Sequence, residues 1–401
     1  MRKILYSTLL TALATPVLAQ GLSVTSEHRP NEHTIACLEA PTRDCAFTAA
    51  LQTVIGEEFG IERAKVLIGV ARAMIETGQT DQARQTLMMA LDEARSVRLT
   101  LVTQEKITEI SPLLARAGDV AGALALADEL QNDSIKDTVL TRIAEEAITA
   151  GQVADARVTL SQLNNQAKAF WRELTLLARA PRQSLATVDL AGLEAEVRGK
   201  TRPDQRYRGL IQVAIIADRM GRPGERNAYI AEADEMFSGV VGIASRAEVA
   251  SQRARNMFDA GMDDAFVSAS YDLALLHGSR LKNTTAQANF AEQIGVIEAA
   301  RGDLDSALGR LDFFIEVDAK AHYLASLRSP TNQGILAAQF REALNEIAEL
   351  QGAYERDLVR LALLEGALGN ADLYLVRHIV EAMEDDDNQA LALALMAPLL
   401  D

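Results

Sequence analysis

The two cysteines of this chain, and two histidines that precede them, are the first residues whose types and spacing could do chemistry. Cys37 and Cys45 bracket the short segment CLEAPTRDC, and His28 and His33 lie just upstream. Two thiolates and two imidazoles could hold a tetrahedral zinc ion, but this spacing matches no compact zinc pattern. In an oxidising compartment, two cysteines this close favour a disulfide, worth roughly 2 to 3 kcal/mol. We therefore predict a Cys37–Cys45 disulfide and no metal site.

The other residues that could carry catalysis form no recognisable constellation. His277, His322 and His378 lie far apart in the chain, with no paired metal-binding motif and no serine elbow near them. The sequence also has no glycine loop of the phosphate-binding kind. Its many carboxylates are typical of the solvated faces of amphipathic helices rather than of an acid and base pair. We therefore expect no catalytic residues, no cofactor and no enzymatic activity.

The first residues have the layout of a secretory signal. An apolar stretch follows Arg2 and Lys3, and Val17 and Ala19 stand three and one residues before a cleavage point. Several polar residues and a proline interrupt the stretch, which argues against a membrane span. We expect a signal peptide over residues 1–19, removed on export, and a soluble periplasmic or secreted protein with no membrane insertion.

The composition is that of a folded, helix-rich chain with an acidic surface. Hydrophobic residues make up 48% of the chain and only 9 of its 401 residues are prolines, so we do not expect disorder. The formal net charge is −16, and loss of Arg2 and Lys3 would bring it to −18. Such a surface repels nucleic acids and anionic lipids, and it favours basic partners, although solubility alone is an alternative reason for the charge.

A glycine turn recurs along the chain. Fragments such as ETGQTDQA, RAGDVAGA and ARGDLDSA contain it, and successive copies lie 33 to 41 residues apart, or about twice that distance. The turn glycines are Gly78, Gly118, Gly151, Gly221, Gly261, Gly302 and Gly369. A small residue stands seven positions before each glycine, and alanine stands five positions after four of them. The pattern predicts two antiparallel helices per copy, joined by the glycine and brought close by the small residues.

The spacing of glycine and small residues resembles the tetratricopeptide repeat family, from roughly Phe59 to the carboxyl terminus. This resemblance implies an all-α fold, an α-solenoid of antiparallel helix hairpins coiled into a right-handed superhelix. We divide the chain into the signal peptide (1–19), an amino-terminal segment with the disulfide (20–56) and a solenoid of about nine hairpins (57–401). Because several units run to 40 residues, HEAT-like or other helical hairpins are the alternative.

Irregular units and the last segment modify this picture. Pro181 and Pro330 should each end or follow a shortened first helix, so we expect bends near 181 and 330. In the last unit, Tyr374 replaces the downstream alanine. The acidic run Glu384–Asp387 lacks the pattern of a calcium loop and suits the amino end of a helix. Residues Ala390–Leu400 should form that terminal helix and cover the open end of the solenoid, with partner docking as the alternative.

The family resemblance also implies a concave groove, lined by the first helices, that binds peptides or segments of partner proteins. Positions ten, six and three before each glycine should point outward from these helices. The predicted partner-binding residues are Arg72, Glu145, Ile211, Ile215, Arg255 and Phe258, with Arg208 and Arg219 on the same side. Arginines in an acidic protein suit carboxylates, and surface ion pairing is the alternative. Trp171, the one tryptophan, is expected in the core rather than as a recognition aromatic.

The sequence thus predicts a non-catalytic periplasmic scaffold or adaptor that binds protein or peptide partners through its concave face. One alternative is an envelope hydrolase, or its accessory, with a superhelical body, but no span supplies the extra catalytic domain. Another is a soluble carrier of a small ligand, and the aromatic content of 4% argues against sugar stacking.

The cysteine assignment generates a first test. We expect the exported protein to show no free thiol under denaturing conditions, and its melting curve to be unchanged by a chelator, because a disulfide occupies both sulfur atoms. Two free thiols, or a chelator-dependent loss of stability, would favour the metal site instead.

Overall fold

The computed structural model describes residues 32–56, 60–331 and 333–400, so the predicted signal peptide, His28 and Phe59 lie outside the described residues. The described chain contains α-helices and three short 3-10 helices, and no strand. The α-helices are α1 (Glu32–Glu39), α2 (Arg43–Gly56), α3 (Gly60–Glu76), α4 (Thr80–Ser96), α5 (Thr100–Arg116), α6 (Val120–Ala127), α7 (Asp133–Thr149), α8 (Val153–Ser161), α9 (Gln166–Arg179), α10 (Leu190–Arg198), α11 (Pro203–Arg219), α12 (Pro223–Phe237), α13 (Ile243–Asp259), α14 (Asp264–Gly278), α15 (Thr284–Ala300), α16 (Leu304–Leu308), α17 (Val317–Ser326), α18 (Gln333–Ala348), α19 (Ala353–Gly369), α20 (Leu373–Ala382) and α21 (Asp386–Met396). The 3-10 helices are Arg182–Leu185, Leu311–Phe313 and Ala397–Leu399.

Helices α3 to α20 form nine consecutive pairs, each an odd-numbered helix followed by an even-numbered one. In eight pairs the two helices pack on each other as a hairpin, whereas α10 packs on α11 rather than on α9. Successive odd-numbered helices pack directly on one another, whereas the even-numbered helices pack mainly on the odd-numbered ones. The odd-numbered helices are therefore the closely spaced, concave layer of a curved array, and we call them the inner helices. The prediction of an all-α solenoid is confirmed.

The turn glycines join the two helices of a hairpin as expected. Six of the seven have a positive φ, between 65° and 92°, which other residues rarely adopt. At Gly118 the glycine N–H donates to the carbonyl of Ala115, and the N–H of Asp119 donates to the carbonyl of Leu114, each at 2.9 Å. These two bonds satisfy the last carbonyls of α5. The carboxylate of Asp119 then accepts the N–H of Gly122 and caps α6.

The register predicted for the last hairpin is wrong by two residues. Helix α19 runs through Gly369, and Ala371 adopts the left-handed conformation with a φ of 53°. The residue five positions after this turn is Val376, which is fully buried, while Tyr374 is 69% exposed. Asp372 caps α20 directly after the turn, so the capping carboxylate, rather than the glycine, fixes where this helix begins.

Close packing of the two helices in a hairpin depends on the small residues. The alanines five positions after the turn, Ala83, Ala123, Ala156 and Ala307, are fully buried. Gly295 stands where other units have alanine or serine, and a Cβ atom there would overlap the hydroxyl of Tyr323. That hydroxyl donates to the carbonyl of Ala307 at 2.7 Å, so the missing side chain makes room for a bond between neighbouring units.

Prolines shorten two inner helices as the sequence suggested. Helix α9 ends at Arg179, two residues before Pro181, and a 3-10 helix replaces its continuation. Helix α17 has only 10 residues and ends at Ser326, ahead of Pro330. A proline lacks the N–H that a continuing helix needs, which accounts for both early stops.

The amino-terminal helices carry the predicted disulfide. Cys37 in α1 and Cys45 in α2 are bonded, with their Cα atoms 5.6 Å apart. Within the described ranges, no group of three or more His, Cys, Asp or Glu side chains is placed to hold a metal ion. None of the helices in these ranges combines the length and apolarity that crossing a bilayer requires.

The two ends of the solenoid meet, which differs from the expected open end. Helix α21 packs against α19 and α20 on one side and against α2 and α3 on the other. It is buried on almost all sides because an inner helix of the first hairpin covers the face that would otherwise reach solvent. Together α21, α1 and α2 form a closing unit, and the inner helices α3 to α21 make a ring. The terminal helix therefore covers the first repeat rather than an open edge.

Polar bonds reinforce this closure. The ammonium of Lys65 in α3 donates to Oδ1 of Asn388 at 2.5 Å, and the guanidinium of Arg43 in α2 donates to the carbonyl of Leu400 at 2.9 Å. Leu391 lies directly against Gly69, where any Cβ atom would overlap it. Closure thus rests on an apolar contact that needs glycine and on bonds between residues at opposite ends of the sequence.

The acidic run Glu384–Asp387 lies at the amino end of α21, as expected. Asp385 caps α21 by accepting the N–H of Asn388, and Asp357 accepts the backbone N–H groups of Glu384 and Asp385. Arg356 makes two 2.6 Å bonds to the carboxylate of Glu384, and Arg360 adds a third at 2.7 Å. Chiefly through the Arg356 bonds, the pKa of Glu384 is lowered from 4.5 to about 2.

Closure generates a packing test at Gly69. We expect Gly69→Val to lower the free energy of unfolding by about 1 to 3 kcal/mol, because the added carbons overlap Leu391 in a packed contact. Gly224→Val is the matched control, since a Cβ atom at that helical glycine meets nothing within 4 Å. Urea unfolding of both variants measures the difference; equal stabilities would contradict a closed ring.

The Glu384 network generates a pH test. Because the pKa of this carboxyl is lower in the folded chain, its stabilisation is complete above about pH 4.5 and is lost as the pH falls towards 2. We expect Glu384→Gln to cost roughly 1.5 to 3 kcal/mol at pH 7 and to flatten the loss of stability below pH 4.5. Glu381→Gln, which removes a more exposed carboxylate, is the control. An unaltered pH profile in Glu384→Gln would show that the network contributes nothing.

Candidate functional site

The concave face carries a stripe of exposed and half-buried polar side chains along α13. On α13 the stripe consists of Glu248, Gln252, Asn256 and Asp259, spaced by three or four residues as one helical face requires. It therefore lies mainly thirteen, nine, five and two positions before the turn glycine. The predicted positions ten, six and three are each offset from it by one residue. Ile68, Ile211 and Ser251, all ten positions before a turn, are buried where adjacent inner helices touch.

Three of the predicted arginines lie on the inner helices in ion pairs. Arg72 is 3.6 Å from Glu365 and links α3 to α19, and Arg208 is 2.9 Å from Glu248 and links α11 to α13. Arg255 contacts Asp259 of its own helix at 2.8 Å. These side chains are 27% to 40% exposed, a range in which an ion pair contributes only about 0 to 1 kcal/mol. Such pairs can exchange for a partner's charges at small cost.

The other predicted residues have different surroundings. Ile215 is fully buried, so the expectation that it points outward is wrong; its position is covered by packing between inner helices. Glu145 and Phe258 are half-buried, and the ring of Phe258 packs against the core. Arg219 donates to the carbonyls of Ala180 and Ala260 at 2.9 and 3.1 Å, where α9 and α13 end, and burial lowers its pKa. Arg219 therefore holds helix ends together.

A polar trough of about 410 Å³ lies on the inner face across four inner helices, α9, α11, α13 and α15. Its lining residues are Trp171, Arg172, Thr175, Tyr207, Arg208, Ile211, Gln212, Val249, Gln252, Arg253, Asn256 and Gln293. The apolar side chains Ile211 and Val249 are at most 2% exposed, so polar groups form most of the accessible surface. Three arginines and no carboxylate line the trough, although the chain as a whole is acidic.

Four lining residues occupy equivalent positions on successive helices. Gln212, Gln252 and Gln293 each stand nine residues before a turn glycine and seven before the last residue of their helix. Arg172 stands in the same place on α9, seven residues before Arg179. Because these helices pack side by side, the four side chains form a row, which we call the carboxamide ladder with Arg172 at its end. The sequence shows this row as a glutamine that repeats at intervals of 40 and 41 residues, a signal that the outward positions chosen above missed.

Polar groups in the trough are left without partners. Gln212 is only 8% exposed, and its Oε1 atom is buried with no hydrogen-bond donor beside it. The Nε atom of Arg208 is likewise buried with no acceptor. Arg172, which is exposed, and Gln293, which is half-buried, have no ion-pair or hydrogen-bond partner among the described residues. Buried polar groups are nearly always paired in folded proteins, so unpaired groups aimed into a trough indicate a place for a ligand.

A buried network holds the trough from behind. The guanidinium of Arg253 contacts the carboxylate of Asp234, donates to the hydroxyl of Ser270 at 2.9 Å and reaches the hydroxyl of Tyr207 at 3.3 Å. Burial raises the pKa of Tyr207, so its hydroxyl stays protonated at neutral pH. These bonds join α11, α12, α13 and α14, and they hold α11 and α13, which carry Gln212 and Gln252, in place relative to each other.

Trp171 lies at the Arg172 end of the trough and is only half-buried, which differs from the expected core position. Its ring meets Phe170 edge to face at 5.4 Å and approaches Gly209 of α11, where a side chain would crowd it. Lys200 lies over the ring of Phe170, 4.3 Å from its centroid. The absence of a side chain at Gly209 leaves room for the indole and for Val197 of α10.

No protein-family model and no curated protein matches this chain. Among solved structures, the chain is similar to one described as a "Circular tandem repeat protein with novel repeat topology and enhanced subunit contact surfaces". The two share 12% identity with a TM-score of 0.24, over 88% of this chain and 96% of the other. The chain described here is a helical repeat protein by its own geometry.

Proposed function

We propose that this chain is a non-catalytic binding protein that recruits a polypeptide partner to the inner face of its ring. The carboxamide ladder carries this proposal. A carboxamide has the same donor and acceptor groups as a peptide bond, so a row of them can pair with the main chain of a partner. Gln212 already has an acceptor that nothing in the described chain fills.

The exchangeable ion pairs around the ladder also support a polypeptide partner. Arg208–Glu248 and Arg255–Asp259 are exposed and alternate in sign along the inner face. A partner with both kinds of charge can replace them at little cost, because each is worth about 1 kcal/mol or less.

We further propose that the protein works outside the cytoplasm as a tetratricopeptide-like scaffold. The disulfide between α1 and α2 supports an oxidising compartment, and the glycine turns with small facing residues support this repeat type. The residues of the export signal lie outside the described ones.

Capture of the natural partner tests the proposal. A photo-cross-linking residue at Gln252, in the middle of the ladder, should trap the partner in envelope preparations of the native host. Replacing Gln212 and Gln293 with alanine should reduce its capture on the order of three- to tenfold per lost bond, because each removes a carboxamide that pairs with the main chain.

Gln82→Ala together with Gln85→Ala is the matched control, since both glutamines are exposed on the outer helix α4. This variant should capture the partner as well as the unchanged protein. Equal capture by the ladder variant, or cross-links that form only from the outer helices, would show that the inner face is not the binding surface.

A further inference from the structure

The spacing and charge of the carboxamide ladder specify the partner more closely, and this inference rests on the function proposed above. We propose that the ladder binds an extended, acidic segment in the polyproline II conformation, with one main-chain contact every three residues and a side-chain carboxylate at Arg172. The juxtaposition that supports it is a row of equivalent carboxamides that ends in an unpaired arginine.

The distance between neighbouring side chains of the carboxamide ladder favours one conformation of the bound segment. Packed helices lie about 8 to 10 Å apart, so the side chains of the ladder repeat at about that distance. In a polyproline II segment, equivalent groups recur every three residues, about 9.3 Å along the chain. In a β-strand they recur every two residues, about 6.7 Å, and fall out of step with the helices. An α-helical segment has no free main-chain groups, because its own turns use them.

The unpaired atoms of the ladder select the contacts. The buried Oε1 of Gln212 needs a donor, which a main-chain N–H supplies. A polyproline II segment has no internal hydrogen bonds, so these N–H groups are free wherever the residue is not proline. Gln252 and Gln293 repeat the same group on the next two helices, which extends the contact over about 20 Å.

Charge then selects an acidic segment. Arg172 has no partner among the described residues, and Arg208 keeps an unfilled Nε beside it in the same trough. The charge of Arg172 is uncompensated among the described residues, while Arg208 is paired with Glu248 at 2.9 Å through an exposed, exchangeable contact. A carboxylate matches the planar donors of both guanidinium groups. Trp171 next to Arg172 adds a flat apolar face of the kind that packs on proline rings.

Synthetic peptides with blocked ends test the period. Four Glu-Pro-Ala repeats leave free N–H groups every three residues, whereas six Glu-Pro repeats favour the same conformation but place proline at every other residue. The first peptide should bind at least about threefold tighter, because the second loses a main-chain donor at alternate rungs. The second carries more carboxylates, so a tighter or equal affinity for it would overturn the period. Titration calorimetry measures both, and fluorescence of Trp171, the one tryptophan, reports on the trough itself.

Charge variants test the anchor. Arg172→Gln should weaken the Glu-Pro-Ala peptide about ten- to a hundredfold. Arg377→Gln, an exposed arginine of the outer helix α20, should leave its affinity unchanged. Four Lys-Pro-Ala repeats should not bind. The same acidic peptide with a free carboxyl terminus should bind as the blocked one does; a requirement for the free terminus, or binding of the lysine peptide, would overturn the side-chain anchor.

The two proposals fail in different ways. If cross-links from Gln252 trap a partner but neither acidic peptide binds, the extended acidic segment is wrong and the inner face keeps its function. If the peptides bind with the expected preference but no partner is trapped at the inner face, the function in the native host is wrong while the specificity of the ladder stands.

Discussion

A two-helix hairpin cannot bury the flanks of its inner helix alone, and the whole structure depends on how this constraint is met. Within the array, each inner helix is covered by the next. At the ends there is no next unit, and an open solenoid must cover its terminal faces with polar caps. This chain has another solution, because α21 fits between α19 and α3 while α1 and α2 complete its hairpin. The ring has no exposed end, and every inner helix from α3 to α21 has two neighbours.

Closure also constrains the concave face. Because both ends are joined, the neighbours of an inner helix cannot spread apart without breaking contacts elsewhere in the ring. The floor of the trough is held in addition by the Arg253 network across four helices. Carboxamides on such a base keep their spacing before a ligand arrives, so little conformational entropy is lost on binding. In the binding mode proposed above, this rigid spacing would let a row of weak, repeated groups discriminate between extended conformations that differ by a few ångströms in period.

Features encoded by neighbouring residues could be read from the sequence, and features that join distant residues could not. The glycine turns, the buried alanines and the helix stops before Pro181 and Pro330 follow from local backbone chemistry. Closure joins Lys65 to Asn388 and Arg43 to Leu400, which are 323 and 357 residues apart, and no local pattern reports such pairs. The last turn was misplaced because Asp372 outweighs Gly369 as a signal. The row of inner-face positions was misplaced by one residue, which was enough to select buried Ile211 and to miss its neighbour Gln212.

The acidic net charge and the cationic end of the ladder act over different distances. At physiological salt, charges more than about 8 Å apart are largely screened, so few of the 56 carboxylates act on a group bound in the trough. In the binding mode proposed above, that group meets Arg172 and Arg208, and Glu248 on the next helix is a competing charge because it pairs with Arg208. Net charge therefore describes solubility and long-range attraction, and on that basis alone basic partners were expected. The arginines that line the trough have the opposite preference, and the acidic segment proposed above follows from these near groups rather than from the net charge.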